Sequence, residues 1–132
     1  MAQNLTEFLM EHPVDGIEEE VVISKRLKGY KFKIRPYTTE EHEAYIKKSR
    51  KISKKGKVDF NDSEFARAVV IDCTIYPNFA DAELIKSAGC KTPYEFLGKV
   101  LMPGEIQTLA NKISELSGFT DDMEALIDEV KN

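Results

Sequence analysis

The sequence predicts an α+β fold in which an N-terminal β-hairpin packs with a mainly α-helical bundle of short helices. Three observations carry that prediction. Apolar residues alternate at period two between residues 17 and 36, every apolar pattern after Asp62 repeats at helical spacing, and helix-start and helix-stop residues punctuate the second half at short intervals.

Leu5, Phe8 and Leu9 stand at i, i+3, i+4 ahead of Pro13 and Gly16, which predicts a short amphipathic helix over 5–12 on a tether. Alone it would be marginal, so it is expected to dock on the domain or on a partner. In the hairpin region, 17–36, Ile17, Val21, Ile23 and Leu27 share one parity, and Tyr30, Phe32 and Ile34 take the other. Pairing Leu27 with Tyr30 across Lys28 and Gly29 opposes Ile23 to Ile34 and brings both apolar sets to one face. A longer loop of the same parity does so as well.

A helix is expected over 38–52, with Thr38 or Thr39 as N-cap, Glu40, Glu41 and Glu43 near its positive end, and a thin stripe of Tyr45, Ser49 and Ile52. It should fray at Gly56 into a mobile basic connector, 53–61. The bundle then occupies 62–131. Asp62 or Ser63 caps a central helix carrying Phe65, Ala66, Val69, Val70, Cys73 and Tyr76, and Pro77 stops it. Asp81 opens a shorter helix closed by Gly89, and Thr92 with Pro93 starts another. In "GKVLMPGEIQTL" Pro103 falls at the first helical position, with Glu105 near the positive end of the dipole, so the stretch reads as a corner between two helices. Gly118 ends that second helix. Thr120 caps a final one bearing Met123, Leu126, Ile127 and Val130.

A chain of 132 residues fits a single domain, 1–132, that folds without disulfide or metal. Net charge is −4, which argues against a surface wholly given to nucleic acid. Cys73 and Cys90 lack CxxC spacing and read as reduced thiols, Cys73 in the core. The start "MAQNLTEFLMEHPVDG" has no basic region or long apolar run of a signal peptide, and no apolar run reaches the ~20 residues of a membrane span. A cytoplasmic protein that meets no membrane is expected.

Chemistry is sparse. His12 and His42 are the two histidines, and "EEHEAY" lacks the second His that a metalloprotease helix requires, so neither metal nor cofactor is expected. No P-loop, GxGxxG or nucleophile signature is present, and a binding protein is favoured over an enzyme. Seven of the eleven residues from Lys47 to Lys57 are Lys or Arg. They could neutralise phosphates, but no aromatics for base stacking are interleaved with them, and a solvated loop is the preferred reading. A nucleic-acid-binding accessory protein using 47–57 is thus the alternative. The terminal stripes, Leu5, Phe8, Leu9 and Met123, Leu126, Ile127, Val130, have the spacing of helix-in-groove recognition and are the candidate partner-binding residues.

The ordered series "VVISKRLKGYKFKIRPYTTEEHEAY" and "YPNFADAELIKSAGCKTPYEFLGKVLMPGEIQTLANKISELSGF" resembles the tail assembly chaperones of PBSX-like prophages, the XkdN-like family, from about Leu5 to Phe119. "SKR" ending at Arg26, "YPNFADAEL", and "LMPGE" followed by an amphipathic helix and Gly118-Phe119 are its most specific pieces. The resemblance implies a small non-enzymatic protein that coats the tape measure protein, helps bring tail tube subunits to it, and is absent from the finished virion. It also implies a frameshifted longer product in many such phages. Many weak copies along one client make self-association a further expectation.

Overall fold

The structure, a computed structural model, describes residues 4–119. It is α+β. Helix α1 (Leu5–Glu11) is followed by strands β1 (Glu19–Val21) and β2 (Phe32–Ile34), helix α2 (Thr39–Ser49), strands β3 (Arg50–Ile52) and β4 (Val58–Phe60), and helix α3 (Asp62–Cys73). Strand β5 (Thr74–Tyr76) and helices α4 (Ala82–Ser87), α5 (Pro93–Val100) and α6 (Pro103–Leu116) complete it. The core is one cluster in which α3 packs against α2, α5, α6 and β5.

Helix ends follow local chemistry. Thr38 Oγ1 accepts from Glu41 N at 3.1 Å while Thr38 N donates to Glu41 Oε1 at 3.0 Å, a reciprocal box that satisfies two otherwise orphaned donors. Arg35 then grips the same carboxylate through both terminal nitrogens, at 3.0 and 2.9 Å, locking the end of β2 to the start of α2. Asn61, one residue ahead of the expected positions, caps α3, and Asp81 and Thr92 cap α4 and α5. At the far end of α6, Gly118 takes φ +100°, its N–H reaches Glu115 O at 3.1 Å, and Phe119 N reaches Ser114 O at 3.0 Å. That paired closure requires a residue tolerant of positive φ. It lays Phe119 near Tyr37 and His42, with ring centroids 6.0 and 5.0 Å away. His42, one of the two histidines of the chain, is half-buried and stacked on Tyr37.

Three expectations are corrected. The first hairpin pairs Val21 with Phe32 and Glu19 with Ile34 in place of the Leu27–Tyr30 scheme, and takes the alternative of a longer loop of the same parity, residues 22–31. The apolar set still meets the core through Val21, Ile23, Phe32 and Ile34, but Ile17 and Tyr30 are exposed. Second, α2 ends at Ser49, and the basic connector forms a second hairpin: Arg50 faces Phe60, Lys51 faces Asp59, and Ile52 faces Val58. Ser53 N donates to Lys57 O at 2.8 Å, Lys57 N to Ser53 Oγ at 3.2 Å, and Gly56 supplies the positive φ of the turn. Ile52 therefore lies on an exposed strand and not on a helix stripe.

Third, α3 ends at Cys73. A helix running into Pro77 would set the proline ring against the Cys73 carbonyl, whereas Thr74, Ile75 and Tyr76 are good strand formers. They pair as β5 with the free edge of β2, Ile34 opposite Thr74 and Lys33 opposite Tyr76 across a bulge, giving the order β1-β2-β5. Tyr76 is consequently exposed.

Val69, Val70, Leu97, Leu109 and Ile113 are fully buried around α3. Leu109→Ala is expected to cost about 2–5 kcal/mol, read as a lower urea midpoint with an unchanged denaturant slope.

Candidate docking surface

The two helices flanking the Pro103 corner are held to the first hairpin by a buried carboxylate. Glu105 lies in the first turn of α6 and is 6% exposed. Its Oε1 accepts from Met102 N at 2.8 Å and Arg26 Nη2 at 2.6 Å, while Oε2 accepts from Ser24 Oγ at 2.6 Å and Arg26 Nε at 3.1 Å. Arg26 Nη2 also donates to the Val100 carbonyl at 3.2 Å, reaching the last turn of α5. The Arg26 guanidinium, with help from Met102 N–H and Ser24, holds the Glu105 carboxyl down at about 2. Ser24 and Arg26 lie in the 22–31 loop outside the ladder, where both are engaged by Glu105. Sequence reasoning placed Glu105 at the helix dipole but missed its partner about eighty residues away.

The corner so fixed walls one side of a groove of about 590 Å³. Ala66 and Arg67 of α3, Tyr94 and Gly98 of α5, and Pro103 and Ile106 around the start of α6 line it, with Lys48 of α2 at its rim. Lys48 Nζ sits 4.5 Å from the Tyr94 ring centroid and hydrogen-bonds its hydroxyl, and the Arg67 guanidinium lies 6.0 Å from the same ring. A cation on an aromatic face is favourable, and Glu64 and Glu95 in the same lining balance the two positive charges. The strongly perturbed groups sit elsewhere: Glu105 in the clamp, Glu41 brought to about 2 by Arg35, and Cys73 pushed up to about 11 by burial beside Tyr45. A thiol raised by burial is a poor nucleophile. The groove combines an apolar stretch of Ala66, Leu101, Pro103 and Ile106 with charged and polar residues at its edges, a composition that suits docking of another chain.

The candidate partner residues divide. Leu5, Phe8 and Leu9 are 71%, 49% and 59% exposed on α1, which buries none of its residues, and Met10 beside them is exposed too. Of the two placements expected for this helix, docking on its own domain or on a partner, the structure does not have the first. Met123, Leu126, Ile127 and Val130 lie outside the described residues. Segment 47–57 is a shaped element and no loose loop: all residues of β3 and β4 are exposed, with Arg50, Ile52, Val58 and Phe60 on one face and Lys51 and Asp59 on the other. Among the described residues no cluster of three or more His, Cys, Asp or Glu could hold a metal ion, and no helix is long and apolar enough to cross a membrane.

The profile of the family described as phage XkdN-like tail assembly chaperone protein matches residues 5–131. The chain belongs to this family of tail assembly chaperones. It is 32% identical to the phage-like element PBSX protein XkdN of Bacillus subtilis strain 168, over 98% of this chain and 94% of that protein. It is 31% identical to the uncharacterized protein YqbN of the same strain, over 98% and 93%. The crystal structure of the protein YqbN superposes with a TM-score of 0.66 at 25% identity, covering 91% of this chain and all of the other. The segments that suggested an XkdN-like chaperone in the sequence have structural reasons. "SKR" and "LMPGE" are the two halves of the clamp, "YPNFADAEL" buries Phe79 against Phe96 and supplies the Asp81 cap, and Gly118-Phe119 closes α6.

The clamp makes acid stability testable in this chaperone. Because the folded Glu105 carboxyl titrates below its ordinary 4.5, its contribution is present above about pH 4.5 and is lost as pH falls toward 2. Glu105→Gln should lower the melting temperature at about pH 7 by on the order of 5–10 °C and reduce the further loss between about pH 5 and pH 3, measured by circular dichroism. Arg26→Gln, which leaves the enclosed carboxylate without its cation, should lower the melting temperature most at neutral pH and flatten the loss between about pH 5 and pH 3, because the carboxyl is no longer held down.

Proposed function

We propose that this tail assembly chaperone is non-catalytic and holds the tape measure protein during tail morphogenesis through helix-to-helix apolar contacts. The observation that carries the proposal is α1: a capped helix presenting Leu5, Phe8, Leu9 and Met10 to solvent on a domain that does not cover them. Membership of the family supports the assembly role. A long helical client presents apolar surface that aggregates unless covered, so its chaperone requires exposed apolar helix, a charged exterior and no reaction chemistry. In this reading it acts in the host cytoplasm, helps bring tail tube subunits to the client, associates side by side along it, and is left out of the mature virion.

A second reading, a nucleic-acid accessory role, draws on the cationic β3–β4 ribbon, since two-stranded ribbons enter DNA grooves. The first is preferred because the ribbon shares its surface with Ile52, Val58 and Phe60, and because net charge is −4.

Co-expression with the tape measure protein of the same phage tests the client role. Wild type should keep that protein soluble and co-purify with it. Phe8→Asp/Leu9→Asp, whose fold should be intact since α1 buries nothing, should lower the co-purifying amount about ten-fold. Equal solubility and recovery with the folded variant would remove α1 from the proposal.

A further inference from the structure

Helix α1 carries a second stripe. Leu5, Phe8 and Leu9 are spaced i, i+3, i+4 on the face assigned to the client, and Glu7, Met10 and Glu11 repeat that spacing on the other side, since successive residues turn by about 100°. Met10 is 78% exposed. The reverse face is therefore one apolar side chain beside two carboxylates. From Leu5 to Ser24 the chain has six acids and no Lys or Arg. Glu18 and Glu20 turn to Lys33 and Lys31 at 2.9 and 3.8 Å, whereas Glu7, Glu11 and Asp15 belong to α1 and its tether.

The β3–β4 hairpin has the opposite sign. Between Arg50 and Phe60 the five cations Arg50, Lys51, Lys54, Lys55 and Lys57 stand against Asp59, and none of the five enters an ion pair among the described residues. The hairpin meets the body at its base, where Asn61 N donates to Ser49 O at 2.8 Å and the Phe60 ring lies 5.7 Å from that of Phe65. Further out, Ile52 and Val58 face solvent. A two-stranded ribbon and a seven-residue helix are each marginal in water. Each exposes apolar side chains next to charge, and the charges are complementary.

The two elements lie at opposite ends of α2. Val14 to Ile17, the tether of α1, line a depression with Arg35 to Thr38 at the start of that helix, and the hairpin leaves from its end at Ser49. The 11 residues of α2 span about 16 Å. An acidic head and a cationic tail on one body make a heterologous contact, which repeats from copy to copy.

We infer that the reverse face of α1, with Glu7, Met10 and Glu11, docks on the β3–β4 hairpin of a second copy of this chain. Lys54, Lys55 and Lys57 at the turn meet the carboxylates, and Ile52 and Val58 meet Met10. The inference rests on the client-holding role of α1 and gives it an arrangement: Leu5, Phe8 and Leu9 stay turned to the client while the back of the same helix joins the neighbouring copy. Exposed ion pairs are individually weak, so the contact is slight between two free copies and adds up where many stand on one client.

Sedimentation of the full chain without client tests the contact. The wild type should gain mass with concentration between about 10 μM and 1 mM at low salt, and lose that gain at about 0.5 M salt. Glu7→Lys/Glu11→Lys and Lys54→Glu/Lys55→Glu/Lys57→Glu should each stay monomeric, with unchanged circular dichroism because all five side chains are exposed. Mixed in equal amounts the two variants should associate again, since each finds in the other a surface of opposite sign. A wild type that is monomeric at about 1 mM, or variants that associate alone as the wild type does, overturns the inference. Association abolished by Phe8→Asp/Leu9→Asp and untouched by the charge reversals places the apolar stripe in the contact and overturns it too. So does salt-sensitive binding of a DNA duplex that the lysine reversal abolishes, without self-association, which assigns the hairpin to nucleic acid. Client recovery is read separately by co-expression. A monomeric wild type that carries the tape measure protein overturns the contact and leaves the client role standing, whereas an associating wild type that carries none removes that role and keeps the contact.

Discussion

The position of the α5–α6 corner depends on one carboxylate. Glu105 is almost fully enclosed, and an enclosed carboxylate is stable only when its oxygens are matched by donors and a cation. Here a backbone N–H, a serine hydroxyl and a bidentate guanidinium supply that match, and they come from two distant stretches of chain. The arrangement joins the loop after β1 to the end of α5 and the start of α6. It also excludes many alternatives: displacing either helix by one turn strands a buried charge, so the corner has one comfortable place. The groove wall formed by Pro103 and Ile106 inherits that rigidity.

A second ion pair performs the same task at the other end of the sheet. Arg35 and Glu41 bind β2 to α2, and Arg35 also donates to the Asp72 carbonyl at 3.1 Å, touching the last turn of α3. Between these two polar junctions lies the apolar contact of α3 with its neighbours, which supplies bulk stability without specifying direction. Direction comes from the junctions. The division is a reasonable one for a binding domain, since an apolar core tolerates small shifts whereas a bidentate pair does not.

The readable parts of the fold were those written in a few adjacent residues. Thr38 with Glu41, Asp81 with Gly89, Thr92 with Pro93, and Met102 through Glu105 each encode a helix boundary within one turn, and each lies where the sequence places it. Three-residue strands are different. Thr74-Ile75-Tyr76 becomes β5 by pairing with the free edge of β2, and the loop after β1 carries Arg26 to Glu105; neither partner is visible locally. The second hairpin was nearer to legible, because Gly56 between Ile52 and Val58 is a turn signal, but the density of lysine masked it. Of the candidate site, the exposed stripe on α1 was legible from spacing. The groove was not, since its lining comes from four helices.

The concentration of positive charge on the β3–β4 hairpin has a practical consequence for handling the molecule. A formal net charge of −4 suggests a uniformly acidic protein, yet with residues 47–57 at the end of α2 and in the hairpin set aside the remainder balances at −11, opposite seven clustered cations. Such a molecule is an electric dipole in solution. On a chromatography column it adsorbs through whichever face the resin offers, so it should be retained by cation exchangers as well as anion exchangers at neutral pH, and its net charge is a poor guide to where it elutes.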